Sequence, residues 1–513
     1  MDLTELGGVH SPTPLNENGL GALAATLPVP SYDRRALPQN MVHIGVGGFH
    51  RAHQAVYLDD LLSQSDKAEW AYCGVGMLPG DRAMRAALLP QDCLYTVLER
   101  SAETESARVI GSIVNYLYAP DEPERVLARL AAPECRIVSL TITEGGYYIH
   151  DGSGTFDDNH PDIIHDLAYP QQPRCAAGYL VEALERRRKA GIAPFTVMSC
   201  DNLQHNGDVA RKMTLALAER RDPTLHDWIA SNAAFPNSMV DRIVPATTDS
   251  VREELLSRYG IRDNWPVATE PFRQWIIEDC FSAGRPSWEH VGAMIVSDVT
   301  PYEKMKMRLL NGSHQALCYI GILLGYSLVH EAMCDSRIHS LVSRLMAREV
   351  APLLRAPPGI DLDAYQGTLL SRFANPTIAD QLLRIGTDGS ARIPKFVLPS
   401  IREQLARNGP IDCLAFTVAA WIHVIALEPK EAGSAPLTDP LLQSLQCSAR
   451  RGGADPRPVL AMREIFEPEL AASERLQNTL GRYLELFRAQ GPEQALEELL
   501  NEGLQVNESR DQI

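Results

Sequence analysis

The sequence has no Cys-x-x-Cys pair; its ten cysteines are scattered along the chain. That spacing excludes a cysteine-rich zinc module and a disulfide framework, and fits the reducing cytoplasm. Long apolar spans are missing as well. The longest uncharged apolar runs, Ala316 to Val329 and Cys413 to Leu427, fall short of the ~18–20 residues that cross a bilayer and read as buried helices. There is no surplus of positive charge: 48 Lys and Arg face 65 Asp and Glu, a net charge of −17. Without a broad basic surface to neutralise phosphates, a nucleic-acid partner is not expected. The opening Met1-Asp2-Leu3-Thr4-Glu5 has neither the basic stretch nor the apolar run of a secretory signal. In that setting the sequons Asn311-Gly312-Ser313 and Asn507-Glu508-Ser509 are formal matches only. What remains is globular composition, 45% apolar and 22% charged. At 513 residues the chain exceeds one ordinary core and predicts two or three domains.

Residues 1–37 are polar and rich in Gly and Pro, and read as an irregular N-terminal arm. Residues 38–297 alternate β-rich runs with helical patterns. The runs are Val42–Val46, Ala71–Val75, Arg136–Ile142 and Phe195–Cys200; between them Arg51–Ser63 and Ala176–Ala190 repeat apolar residues at helical spacing. Strands alternating with helices predict a parallel sheet wrapped by helices, an α/β doubly wound domain of Rossmann type. From 298 to 513 the β-rich runs nearly vanish, and Ala316–Val329, Ile411–Leu427 and Ser473–Ala489 predict a mainly α-helical second domain. No repeat of fixed period and no low-complexity tract is present.

The first β-rich run passes into a glycine turn, Val42-His43-Ile44-Gly45-Val46-Gly47-Gly48-Phe49-His50-Arg51-Ala52. Gly45 permits a tight turn, Gly47 lets the backbone approach a pyrophosphate, and the following helix start offers free N–H groups. The usual third glycine is absent; Arg51 near its place is a candidate for a charge-assisted phosphate contact. The competing reading is a plain tight turn. After the second run the nearest acid is Asp81, which suits either a helix N-cap or the adenosine ribose. Arg82 beside it would tolerate a 2′-phosphate, so the pattern leans to NAD without excluding NADP.

Thr300-Pro301-Tyr302-Glu303 is a strong helix start: Thr at the N-cap, Pro at the first helical position and Glu at the third. At roughly 100° per residue, Glu303, Lys306, Asn311 and His314 fall within an arc of about 140°. They share it with Met307 and Leu310, where each polar group needs a specific partner. Lys306 lies near the positive end of the helix dipole in apolar surroundings; both lower a lysine pKa and suit a general base. Asn311 suits donation to a developing alkoxide and His314 the orientation of a hydroxyl. The alternatives are an ordinary capped helix with a core histidine, and for Glu303 a capping box. Tyr302 and Lys306 also fit Tyr-x-x-x-Lys, the pair of short-chain dehydrogenases, but they lie too far downstream of the glycine turn.

With His43–His53, Ser139–Tyr147 (SLTITEGGY), Phe195–Asn202 (FTVMSCDN), Phe235–Ile243 and Thr300–His314 in this order, the sequence resembles the mannitol 2-dehydrogenase family of polyol-specific long-chain dehydrogenases. The resemblance implies zinc-independent, NAD-linked oxidation of a secondary alcohol on an open-chain polyol, D-mannitol to D-fructose and back, with no metal. It implies Lys306 as general base, Asn202 and Asn311 as the pair stabilising the oxyanion, and His314 as a substrate-orienting residue. It further implies Glu303 as modulator of the lysine's proton exchange, and Asp241, Arg384 and Arg392 as substrate contacts. Two departures stand out: Gly80 replaces an acid that often precedes Asp81, and Arg392 stands where lysine is common. Asn202 and the Glu144-Gly145-Gly146 stretch both follow β-rich runs, at the edge where open parallel sheets bind ligands.

The expected partners are a polyol or ketose and the dinucleotide, with the enzyme a monomer or small homo-oligomer. Arabinitol dehydrogenase and fructuronate/mannonate oxidoreductase are the neighbouring alternatives. A non-catalytic NAD-binding regulator is the remote one, because a mere binder has no use for a base and oxyanion donors.

Overall fold

The computed structural model describes residues 13–64, 69–150, 154–427 and 437–508, with the side chains of 503–508 left aside. The opening residues on which the signal-sequence reading rests, and Ser509 of the second sequon, lie outside them. The chain divides into two compact units, Met1–Val299 and Thr300–Ile513.

The first unit is built on a five-stranded sheet. Its strands are β1 (Met41–Ile44), β2 (Tyr72–Gly76), β3 (Ile113–Tyr118), β4 (Ile137–Leu140) and β5 (Thr196–Ser199). They lie in the order β3-β2-β1-β4-β5, all parallel. Every residue of β1, β2, β4 and β5 is buried, as expected of strands covered on both faces. The chain order reverses between β1 and β4. That is the switch point of a doubly wound sheet, where the crevice outside the strand carboxyl ends takes a ligand.

The four β-rich runs became β1, β2, β4 and β5; β3 was not anticipated. Additional strands make the unit mixed rather than purely parallel. β6 (Ser238–Asp241) runs antiparallel to β7 (Gln274–Glu278), which pairs in parallel with β8 (Met294–Val296). The described part of the N-terminal arm is pinned rather than irregular. Thr13 and Pro14 pair with Ile261 and Arg262, and Leu15, Leu23 and Leu27 are buried against Leu94 and Val109.

The second unit is helical. Its core gathers Leu317 and Ile320 from Gly312–Leu323, Phe416 and Trp421 from Asp412–Ala426, and Leu480 and Phe487 from Glu474–Ala489. The apolar run Ala316–Val329 is not one helix. Gly325, at φ 83, stops it; the Tyr326 N–H donates to the Gly321 carbonyl at 2.9 Å, closing a Schellman turn. No helix among the described residues is long and apolar enough to cross a membrane.

Candidate active site

In the first unit, the carboxyl ends of β1, β4 and β5 lie side by side. Gly45 follows β1 at φ 94, and a Cβ there would stand 2.1 Å from the Thr141 carbonyl oxygen, so only glycine fits. Thr141 closes the contact by donating its hydroxyl to the Gly45 carbonyl at 2.6 Å. Gly47 differs: a Cβ there would meet nothing nearer than the Gly45 carbonyl at 4.0 Å. The fold itself does not demand glycine at 47, but a side chain would fill the space through which a pyrophosphate reaches the turn. The residues present therefore fit a dinucleotide.

Around the turn, His43 and His50 stack face to face with ring centroids 3.4 Å apart. Burial pushes His43 down to about 3 and His50 well below the ordinary imidazole value, so both are neutral. His43 is held by the Ser139 and Thr141 hydroxyls at 2.8 and 2.9 Å. Val42, Ile44 and Val46 are core residues; Phe49 packs on the His53 ring, and Ala52 accepts a hydrogen bond from the Arg242 guanidinium through its carbonyl.

Arg51 departs from expectation. It is 1% exposed; its guanidinium donates to the Trp265 carbonyl and lies over the Tyr95 ring. It braces the core, and its side chain is not directed to a phosphate. Asp81, after β2, accepts the Met77 and Leu78 N–H groups on one carboxylate oxygen, each at 2.8 Å. Asp81 is the first residue of the helix Asp81–Leu88 and not its N-cap, which is Gly80; its carboxylate ties back the loop before the helix, with the second oxygen not used in those bonds. Arg82 turns to Asp121 at 2.7 Å.

At the ends of β4 and β5, Asp201 accepts N–H bonds from Ile142 and Thr143 at 3.0 and 2.9 Å and the Tyr147 hydroxyl at 2.6 Å. Burial pushes its carboxyl up against these three donors, which favour the ionised form. Exposed Asn202 follows it. Asp241, at the end of β6, is 5% exposed. A hollow lined by Glu278, Cys280 and Ser297 contains none of the anticipated site residues.

In the second unit, Thr300–Lys306 is α-helical, Met307–Asn311 is a π turn, and Gly312–Leu323 resumes the α-helix. The Gly312 N–H donates to the Met307 carbonyl five residues back. On a uniform α-helix Lys306 and Asn311 would point about 140° apart. A π turn closes over five residues, which brings them towards one line. Lys306 is 5% exposed, Asn311 7% and Glu303 1%, so all three polar groups are withdrawn from bulk water. His314 is half-buried with its ring 4.4 Å from that of Phe373. Asn311 Nδ2 lies 3.3 Å from the Met307 sulfur. Gly312 permits close packing, since a Cβ would come within 3.1 Å of the Phe396 carbonyl oxygen.

The geometry thus places Glu303, Lys306, Asn311 and His314 on one continuous helix. Arg384 is exposed and paired with Asp380 at 2.6 Å, and Arg392 donates to the Ile385 carbonyl at 2.9 Å. Among the described residues, no group of three or more His, Cys, Asp or Glu side chains is arranged to hold a metal ion.

Two family models match this chain: the mannitol dehydrogenase Rossmann domain over residues 39–290 and the mannitol dehydrogenase C-terminal domain over 298–486. The chain belongs to the mannitol dehydrogenase family. A mannitol 2-dehydrogenase of Aspergillus fumigatus is 48% identical over 475 residues, 91% of this chain and 95% of that protein. The ternary complex of Pseudomonas fluorescens mannitol 2-dehydrogenase with NAD and D-mannitol is 44% identical with a TM-score of 0.86, covering 95% of this chain and 99% of that one. A D-sorbitol dehydrogenase in substrate-free form is 37% identical with a TM-score of 0.85, covering 94% and 99%. Membership gives the Rossmann and helical units of this chain one common context.

Asp201 and Tyr147 were missed by sequence reasoning, which singled out Asn202 and assigned no role to the Asp201 beside it. The only signal available was that both belong to the segments on which the resemblance rests.

Proposed function

We infer that this chain catalyses the NAD-dependent oxidation of D-mannitol to D-fructose and its reversal. The observation that carries the inference is the 44% identity and 0.86 TM-score to a structure holding NAD and D-mannitol. NAD, when bound, takes up the hydride that leaves the alcohol carbon. The chain's residues do the rest. Lys306 accepts the hydroxyl proton at Nζ; its burial supports the role. Asn311, one π turn further on, and Asn202 of the first unit donate amide N–H bonds to the oxygen as it gains charge. His314 orients the substrate hydroxyl, and Glu303 passes the lysine's proton towards solvent. Asp241, Arg384 and Arg392 are assigned to the remaining hydroxyls. The residues of the glycine turn, Val42 to Ala52, cradle the dinucleotide through their backbone, and Asp81 takes the ribose.

NAD is preferred to NADP because the nearest acid after β2 is Asp81 and Arg82 is engaged by Asp121. The proposed working form is a monomer or small homo-oligomer in the cytoplasm, where the free cysteines stay reduced. D-sorbitol oxidation is the second reading, favoured by the relative that is 37% identical. The test is NADH formation across mannitol, sorbitol, arabinitol and mannonate, with both cofactors. Highest kcat/KM with mannitol and NAD is expected; a higher value with any other pair overturns the assignment.

A further inference from the structure

The turn that joins β4 to the rest of the first unit is held in an unfavourable shape. Thr143 has φ 62 and ψ 168, a backbone region that β-branched residues rarely adopt. Tyr148, closing the same Glu144–Tyr147 turn, is left-handed at φ 52. Such a conformation persists only where its surroundings fix it, and here one carboxylate does so. Asp201 takes the Thr143 N–H on one oxygen, and the Ile142 N–H and the Tyr147 hydroxyl on the other. The Tyr147 hydroxyl also meets the Ser199 hydroxyl of β5 at 2.6 Å. From the other side, the Asn206 amide donates to the Asp201 carbonyl at 3.0 Å and to the Ser238 carbonyl at 2.8 Å. Asp201 is therefore fixed through both its side chain and its backbone, and the residue attached to it is Asn202.

We propose that Asp201, with Tyr147, is a positioning residue for hydride transfer: it locks the ends of β4 and β5 together and thereby sets the place of the Asn202 amide. The proposal rests on the reading of Asn202 as an oxyanion donor. The chemistry demands such a brace. A donor is effective only if it already stands where charge develops, and Asn202 follows directly on the residue that this network fixes. A carboxylate suits the task because it accepts on both oxygens. An amide in its place accepts on one and turns an N–H group towards a donor, releasing one side of the clamp.

The test is a double-mutant cycle in the full chain: Asn202→Ala, Asp201→Asn and the pair, with kcat, KM for mannitol and the primary isotope effect with 2-deuterated mannitol. Each variant is assayed well below its thermal midpoint. Asp201→Asn is expected to lower kcat on the order of 10²-fold, the scale of a misplaced catalytic group, and to raise the isotope effect. In the Asn202→Ala background it should cost almost nothing further, because its effect passes through Asn202. Tyr147→Phe removes one bond of the clamp and serves if Asp201→Asn does not fold. It should lower kcat less, and not at all once Asn202 is alanine.

If Asn202→Ala slows turnover but the clamp variants do not, or if the losses multiply, Asp201 is merely structural and the proposal falls while the oxyanion assignment stands. If Asn202→Ala turns over like wild type, the oxyanion assignment itself falls, and the proposed route with it.

Discussion

Lys306 is the last residue of the α-helix before the π turn, and Asn311 the last residue within it. The arc they share with Met307 and Leu310, where each polar group needs a specific partner, made them visible in the sequence. What they are paired with was not visible, because burial partners come from distant segments. Arg51 shows the limit: spacing put it near the glycine turn, but the Trp265 carbonyl and Tyr95 ring that claim its guanidinium are far along the chain. Asp201 shows the same limit from the other side, since an Asp before Asn looks like any turn. Two outcomes belong to this scale. Asn311→Ala or Asn202→Ala should each lower kcat by roughly 10²–10³-fold with the NAD dissociation constant little changed, as read by fluorescence titration of NADH. Gly47→Leu should keep the fold, since there is room for a side chain, yet raise that dissociation constant. Unchanged binding would make the turn purely structural.

Among the elements, strands buried on both faces announced themselves as apolar runs. β3 did not: Asn115, a poor strand former, interrupts the run in Ile113–Tyr118. The π turn had no local signature either; a uniform 100° per residue puts Lys306 and Asn311 about 140° apart, and the widened turn reduces that angle. A second π turn, Leu345–Val350, carries Glu349, whose carboxylate caps the helix Asp412–Ala426 by accepting the Cys413 and Leu414 N–H groups at 2.8 and 2.9 Å. Burial raises Glu349 from the ordinary 4.5 to about 7.

A raised value means that the native state keeps a proton which the unfolded chain releases. The resulting stabilisation is complete below pH 4.5 and is lost as the pH rises through about 7. It amounts to on the order of 3 kcal/mol at most. Glu349→Gln cannot ionise, so the thermal midpoint of the wild type relative to this variant should fall between pH 5 and 8, by about a few degrees. A constant difference across that range would show that Glu349 does not titrate there.

The whole molecule was legible as a Rossmann-type unit followed by a helical one, because periodicity changes from strand–helix alternation to continuous helix near residue 300. The structural division falls after Val299. The choice of polyol was not legible, since hydroxyl configuration is discriminated by distances that no spacing rule contains. At this scale the account expects activity to survive exhaustive chelation with EDTA, because the proton acceptor is a side chain; loss restored by zinc would reverse that.

The central claim is that Lys306 removes the hydroxyl proton, and the most direct measurement is the pH dependence of kcat for mannitol oxidation in the wild type and in Lys306→Ala. The account predicts that wild-type turnover rises with pH through a single ionisation. The variant should lose that ionisation and most of its turnover while binding NAD normally, with added primary amine restoring part of the rate. A variant that keeps the same profile and near-normal turnover would contradict the account and turn attention to the neighbouring Tyr302.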